Sequence, residues 1–121
     1  MTIEFEFQAE GILLKAKASG RDDNLADVQN YGMAMLAFAL EHSCTKVLCD
    51  ERDLIYTIAT FDIYASAKQM AEVTPKLAQV AIVFNPSFEA DAKFWETVAV
   101  NRGLQVSFFQ NMEDATHWLE N

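Results

Sequence analysis

Basic residues are scarce in this chain: 9 Lys and Arg stand against 18 Asp and Glu, a formal net charge of −9 over 121 residues. A surface so poor in positive charge lacks the field that phosphate backbones or anionic lipid headgroups require, which argues against nucleic acid and membrane partners. Cysteine is scarce as well. Cys44 and Cys49 fall too close along one expected strand for a disulfide, and with His42 they still lack a fourth zinc ligand. Both read as small buried hydrophobes, and no metal or cofactor is expected. With only 4 Gly and 2 Pro, the loops should be short, and no linker, repeat or low-complexity segment interrupts the chain. No apolar run reaches the roughly 20 residues of a membrane helix. Met1-Thr2-Ile3-Glu4 enters a strand pattern with no basic, hydrophobic leader, so a cytoplasmic protein is expected. A glycine-rich phosphate loop and a nucleophile elbow are both missing, and neither His has a Ser or Cys partner in a motif. No catalytic residue, and no enzyme, is expected.

What the chain does contain is apolar: 51% of residues are hydrophobic and 12% aromatic. Residues 1–121 suffice for one domain with a core of its own. The segment Leu77 to Phe84 ends in five consecutive apolar residues before Asn85-Pro86-Ser87. Such a short run, rich in Val and Ile and bounded by turn residues, predicts a central parallel strand buried on both faces.

Earlier in the chain, Ile3, Phe5 and Phe7 alternate with polar residues and the alternation resumes at Ile12, Leu14, Ala16 and Ala18, predicting a hairpin. A register with Phe7 opposite Ile12 and Phe5 opposite Leu14 would also bring Glu4 opposite Lys15. Asn24, with Asp27 three residues on, caps a first helix that runs to about Glu41. Its inward stripe is Val28, Met35 and Ala39 with Leu36 beside them, which leaves Met33, Phe38 and Leu40 in excess of what one sheet face needs. These three are either covered within the monomer, or they form an apolar interaction surface, with a homodimer or another protein as partner, or border a pocket.

Val47-Leu48-Cys49 predicts a short buried strand ending in Asp50-Glu51-Arg52-Asp53, read as a solvated, self-neutralising loop. Leu54 to Ala59 is ambiguous between strand and helical turn. Thr60 caps a second helix through Tyr64, Ala67 and Met70 to Val73, stopped by Thr74-Pro75. Ser87 caps a third, with Phe88, Ala92, Trp95 and Ala99 inward, Phe94 and Val98 widening the stripe, and Gly103 closing it. Leu104, Val106 and Phe108 form an edge strand, and Asn111 caps a fourth helix that turns Met112, Ala115, Trp118 and Leu119 inward and His117 outward. The expected fold is α/β: a mixed, mainly parallel five-stranded sheet with an N-terminal hairpin and four helices.

That order of elements, the strand ending in acid at Val47-Leu48-Cys49-Asp50, and the closing pattern Asn101-Arg102-Gly103, Phe108-Phe109 and Glu113-Asp114-Ala115 to Trp118-Leu119 resemble the SpoIIAA-like family, related to the STAS domains of anti-sigma-factor antagonists. The resemblance spans nearly the whole chain and implies a βα-superhelical winding and a regulatory role through protein binding rather than catalysis. In the regulatory branch a Ser at the start of the second helix is phosphorylated. Here that region reads Ile58-Ala59-Thr60-Phe61-Asp62, so Thr60 is the nearest candidate phosphosite and an N-cap role explains it equally. Other SpoIIAA-like proteins resemble lipid-carrier folds. That keeps open the alternative of a carrier or sensor of a small apolar ligand, in a cleft between the first two helices lined by Met33, Tyr56, Phe61 and Tyr64.

Overall fold

In the computed structural model, which describes residues 3–75 and 78–120, the apolar run forms the strand Gln79–Phe84, and alternate residues enter different cores. Val80 and Ile82 join one cluster, with Leu14, Val47 and Cys49, whereas Ala81 and Val83 join a second, with Leu48, Ala115 and Leu119. Burial on both faces is therefore as the sequence predicts. Leu77, the first residue of that predicted segment, lies outside the described residues.

In chain order the elements are β1 (Ile3–Glu10), β2 (Leu13–Asp22), α1 (Leu25–Glu41), β3 (Lys46–Tyr56), α2 (Thr60–Val73), β4 (Gln79–Phe84), α3 (Glu89–Asn101, preceded by a single 3-10 turn), β5 (Gln105–Phe109) and α4 (Met112–Leu119). The sheet order is β1-β2-β3-β4-β5, antiparallel between β1 and β2 and parallel elsewhere. Residues from α1, α2 and α3 contribute to the first cluster, and α4 covers the other face around Ala81 and Val83. The mixed, mainly parallel five-stranded sheet with four helices and β5 at its edge matches the expectation.

The hairpin register differs. Phe7 pairs with Ala16 and Phe5 with Ala18, while Glu10 pairs with Leu13 across the two-residue turn Gly11-Ile12. Gly11 has φ +61°, the left-handed conformation such turns require, and this pulls the turn two residues later than the hydrophobic pattern alone suggests. Because the two registers differ by an even number of residues, the same side chains stay on the core face. Lys15 then meets Glu10 at 3.0 Å rather than Glu4.

The Asn24 carboxamide accepts from the Asp27 amide at 2.9 Å, so the capping signal of the first helix is real. Asn24→Ala is expected to cost about 1 kcal/mol, visible as a lower urea midpoint with unchanged slope. Two other caps move. Ala59, not Thr60, precedes α2, which puts Thr60 inside the helix without a capping hydrogen bond. Asn85, not Ser87, supplies the side-chain acceptor before α3, taking the Ser87 amide at 2.9 Å. Phe94 stands 37% exposed instead of widening the inward stripe of α3. Cys44 lies in the connection before β3 rather than on the strand.

The largest departure is β3. Asp50 to Asp53 do not leave the sheet; the strand continues through them to Tyr56, paired with a β2 that itself runs to Asp22. Lys17 pairs with Asp50 but Ser19 with Asp53, so Glu51 and Arg52 together face Ala18 as a bulge. One extra residue resets the alternation. Val47, Cys49 and Glu51 before it, and Leu54 and Tyr56 after it, all line the space beneath α1 and α2.

Candidate functional site

That space is a cavity of about 460 Å³ between the sheet and helices α1 to α3, within the range of small-molecule sites. Its walls are mainly apolar, with Met35 and Ala39 from α1, Ile63 and Met70 from α2, Val80 and Ile82 from β4 and Trp95 from α3. Leu40, Ser43 and Thr45, which are lining residues exposed to solvent, bring it to the surface where α1 ends and β3 begins. Helices α1 and α2 approach closely at the middle of α1 because Gly32 has no side chain: a Cβ at that position would lie 2.6 Å from the Met70 sulfur.

A polar pole lies farther along β3. Glu51 is 7% exposed, and its two carboxylate oxygens accept from different tyrosines, Oε2 from the Tyr31 hydroxyl at 3.0 Å and Oε1 from the Tyr56 hydroxyl at 2.6 Å. Tyr31 reaches it from α1 and is held in turn by Phe5, 5.4 Å between ring centroids. The Cys49 thiol points at the Met35 sulfur, 3.6 Å away. At the end of β2 the buried Asp22 accepts from the Thr57 amide and, at 3.2 Å, from the Thr57 hydroxyl, which ties β2 to the connection that enters α2.

Burial pushes the Glu51 carboxyl above its ordinary 4.5 and the Asp22 carboxyl above 3.8, outweighing the hydrogen bonds they accept. Burial likewise raises the Tyr31 and Tyr56 hydroxyls and the Cys49 thiol, so all three stay protonated near neutrality. Asp50, on the outer face of the same strand, behaves oppositely. Arg52 donates to it from Nε at 2.9 Å and from a terminal nitrogen at 2.8 Å, and its carboxyl falls to about 2. The predicted self-neutralising pair is thus present in Asp50 and Arg52, but Glu51 between them is buried in the core, because a strand turns its neighbours to opposite faces.

Of the four residues expected to line a cleft, Tyr56 stands in the cavity wall, and Met33, Phe61 and Tyr64 lie outside it. Phe61 is 76% exposed, and Tyr64 accepts from Arg102 at 2.7 Å beneath its guanidinium. Of the helix-one trio, Met33 is exposed, Phe38 is half-buried against Phe7 at 5.5 Å, and Leu40 stands at the cavity mouth. Thr60 is exposed in the first turn of α2. Glu51, Tyr31 and Asp22 went unrecognised in the sequence. The signal available was the phase slip itself, with apolar positions at Val47, Cys49, Leu54 and Tyr56 that share one face only if a residue is inserted between the two halves.

Among the described residues no group of three or more His, Cys, Asp and Glu is placed to hold a metal ion, and no helix is long and apolar enough to cross a membrane. No protein-family model and no curated protein sequence matches the chain. Solved structures do. An anti-sigma factor antagonist from Mycobacterium paratuberculosis superposes with a TM-score of 0.68 at 11% identity, over 99% of this chain and 96% of that one. An uncharacterized DUF3478-family protein with a SpoIIAA-like fold from Shewanella loihica superposes with a TM-score of 0.57 at 20% identity, over 98% and 94% of the respective chains. The fold of this chain is SpoIIAA-like.

Proposed function

We propose that this SpoIIAA-like chain is a non-enzymatic regulatory module that carries or senses a small, largely apolar molecule held beneath α1 and α2. The observation that supports it is the joining of an apolar cavity of about 460 Å³ to one buried hydrogen-bonding pole, Glu51 between Tyr31 and Tyr56. Apolar walls supply affinity and a few fixed polar groups supply orientation, the usual division of labour in ligand pockets. The anti-sigma factor antagonist among the similar structures supports the regulatory part of the reading.

A second reading rests on α1, where Met33 is 41% and Leu40 64% exposed. Those side chains would suit contact with another protein or a second copy of the chain, with Phe38 at the margin of the patch.

One set of measurements separates the two. Native mass spectrometry of the chain purified from its own cells is expected to show added mass from a bound molecule. The stripped protein should then bind N-phenyl-1-naphthylamine saturably, with one site per chain, and Ile63→Trp, which fills the cavity from α2, should abolish that signal while leaving the circular dichroism spectrum intact. A dimer of bare chains with no saturable dye binding would overturn the ligand reading in favour of the α1 surface.

A further inference from the structure

The charged groups that line the cavity have one sign. Asp22 from β2, Glu51 from β3 and Asp91 from α3 line it, and among the described residues no Lys, Arg or His does. The hydrogen-bonding groups at the pole carry the same bias. Tyr31 and Tyr56 each commit their one hydroxyl proton to Glu51. A carboxylate offers about four acceptor positions, so roughly two remain, and each phenolic oxygen keeps lone pairs of its own. Nearby, the Cys49 thiol is directed at Met35 and the Thr57 donors are taken by Asp22. The pole therefore presents acceptors and negative charge, with its donors already engaged.

Resting on the cavity reading above, we infer that the ligand is an apolar amine, whose head donates to Glu51 and the tyrosine oxygens while its hydrocarbon lies toward Val47 and the mouth at Leu40. A strand rises about 3.3 Å per residue, so the four steps from Val47 to Glu51 span roughly 13 Å, room for an extended chain. A carboxylic acid of the same shape fits the walls and fails at the pole, because two carboxylates sharing a desolvated site cannot both ionise. An alcohol donates one hydrogen bond without the charge and falls between them. The groups that act on Glu51 are Tyr31 from α1, Tyr56 from β3 and Asp22 from β2, with Cys49 on the same face of β3 and Asp50 on its outer face, and none supplies a positive charge. The ammonium is the missing counter-charge.

The test is titration calorimetry of the intact chain with n-octylamine, n-octanol and octanoate, which share one hydrocarbon and differ at the head. The expected order is amine, alcohol, acid, with the amine at least about tenfold tighter than the acid at neutral pH. Amine affinity should rise with pH as Glu51 ionises, a trend that needs no variant. Glu51→Gln should bring octylamine to the level of octanol. Octanoate binding as tightly as octylamine, or an amine preference that survives Glu51→Gln, would overturn the amine assignment while saturable octanol binding still upheld the cavity. If none of the three nor the naphthylamine dye bound saturably, cavity and amine would fall together.

Discussion

Phe84→Ala lowers stability by about 3–5 kcal/mol, the cost of truncating a fully buried aromatic residue whose surroundings relax only in part. Phe84 is 2% exposed at the end of β4 and meets the edge of the Phe108 ring, 5.9 Å between centroids. Phe108 in turn meets Trp95 at 5.7 Å, and its amide donates to Glu96 at 2.7 Å, so the deletion loosens the seam between β4, β5 and α3. Since such domains are stable by only about 5–15 kcal/mol, the variant should be partly unfolded at physiological temperature. Urea denaturation followed by circular dichroism checks this. Val100→Ala, at a position 48% exposed on α3, is the control and should shift stability by less than about 0.5 kcal/mol.

The second large effect is at Asp22. Asp22→Ala removes the acceptor for the Thr57 and Ile58 amides, while the Thr57 hydroxyl keeps the Asp22 backbone carbonyl at 2.8 Å, and leaving the two amides unpaired should cost about 2–3 kcal/mol in all. Asp22→Asn keeps an acceptor in place and should lose little at pH 7. The reason is electrostatic. The folded carboxyls of Asp22 and Glu51 hold their protons more tightly than their ordinary values of 3.8 and 4.5. Stability from these two groups is therefore complete below those values and is lost as the pH rises through the folded ones. The wild type should gain stability as the pH falls from neutral toward about 4.5, and Asp22→Asn should show a weaker gain. Asp50 works the other way, its pairing with Arg52 being lost as the pH falls from 3.8 toward about 2. Thermal melts of wild type, Asp22→Ala and Asp22→Asn across that range check the sign. An equal loss in both variants at pH 7 would show that the charge, not the acceptor, holds the connection.

The architecture could be read from the sequence because its signals are local. A five-residue apolar run, a Pro after Thr74 and capping Asn residues at Asn24 and Asn111 each act within a few positions, and the structure places elements where they say. Hairpin register was less legible, because every even shift keeps Phe5 and Phe7 on the same face and only the backbone of Gly11 decides among them. The polar pole could not be read from neighbours in sequence. Glu51 lies between Asp50 and Arg52, a setting that reads as solvent, and its burial depends on Tyr31, twenty positions away on a helix. Tyr56 was legible as an amphipathic wall residue. What it binds was not, because a charge within a run of charges signals burial only once the strand's phase is known.

The added residue in β3 leaves that segment with one residue of slack. Removing Arg52 alone would keep every other side chain on its face: Asp53 already pairs with Ser19, so Glu51 would take Ala18 as its partner and the strand would alternate without a break, with Glu51, Leu54 and Tyr56 still turned to the core. Glu51 would keep both tyrosines, and Asp50 would lose Arg52. Across related chains, a single-residue gap within β3 should therefore fall between Asp50 and Asp53, where a bulged and a regular strand present the same face, and spare the runs on either side, where it would reverse the faces of the residues beyond it.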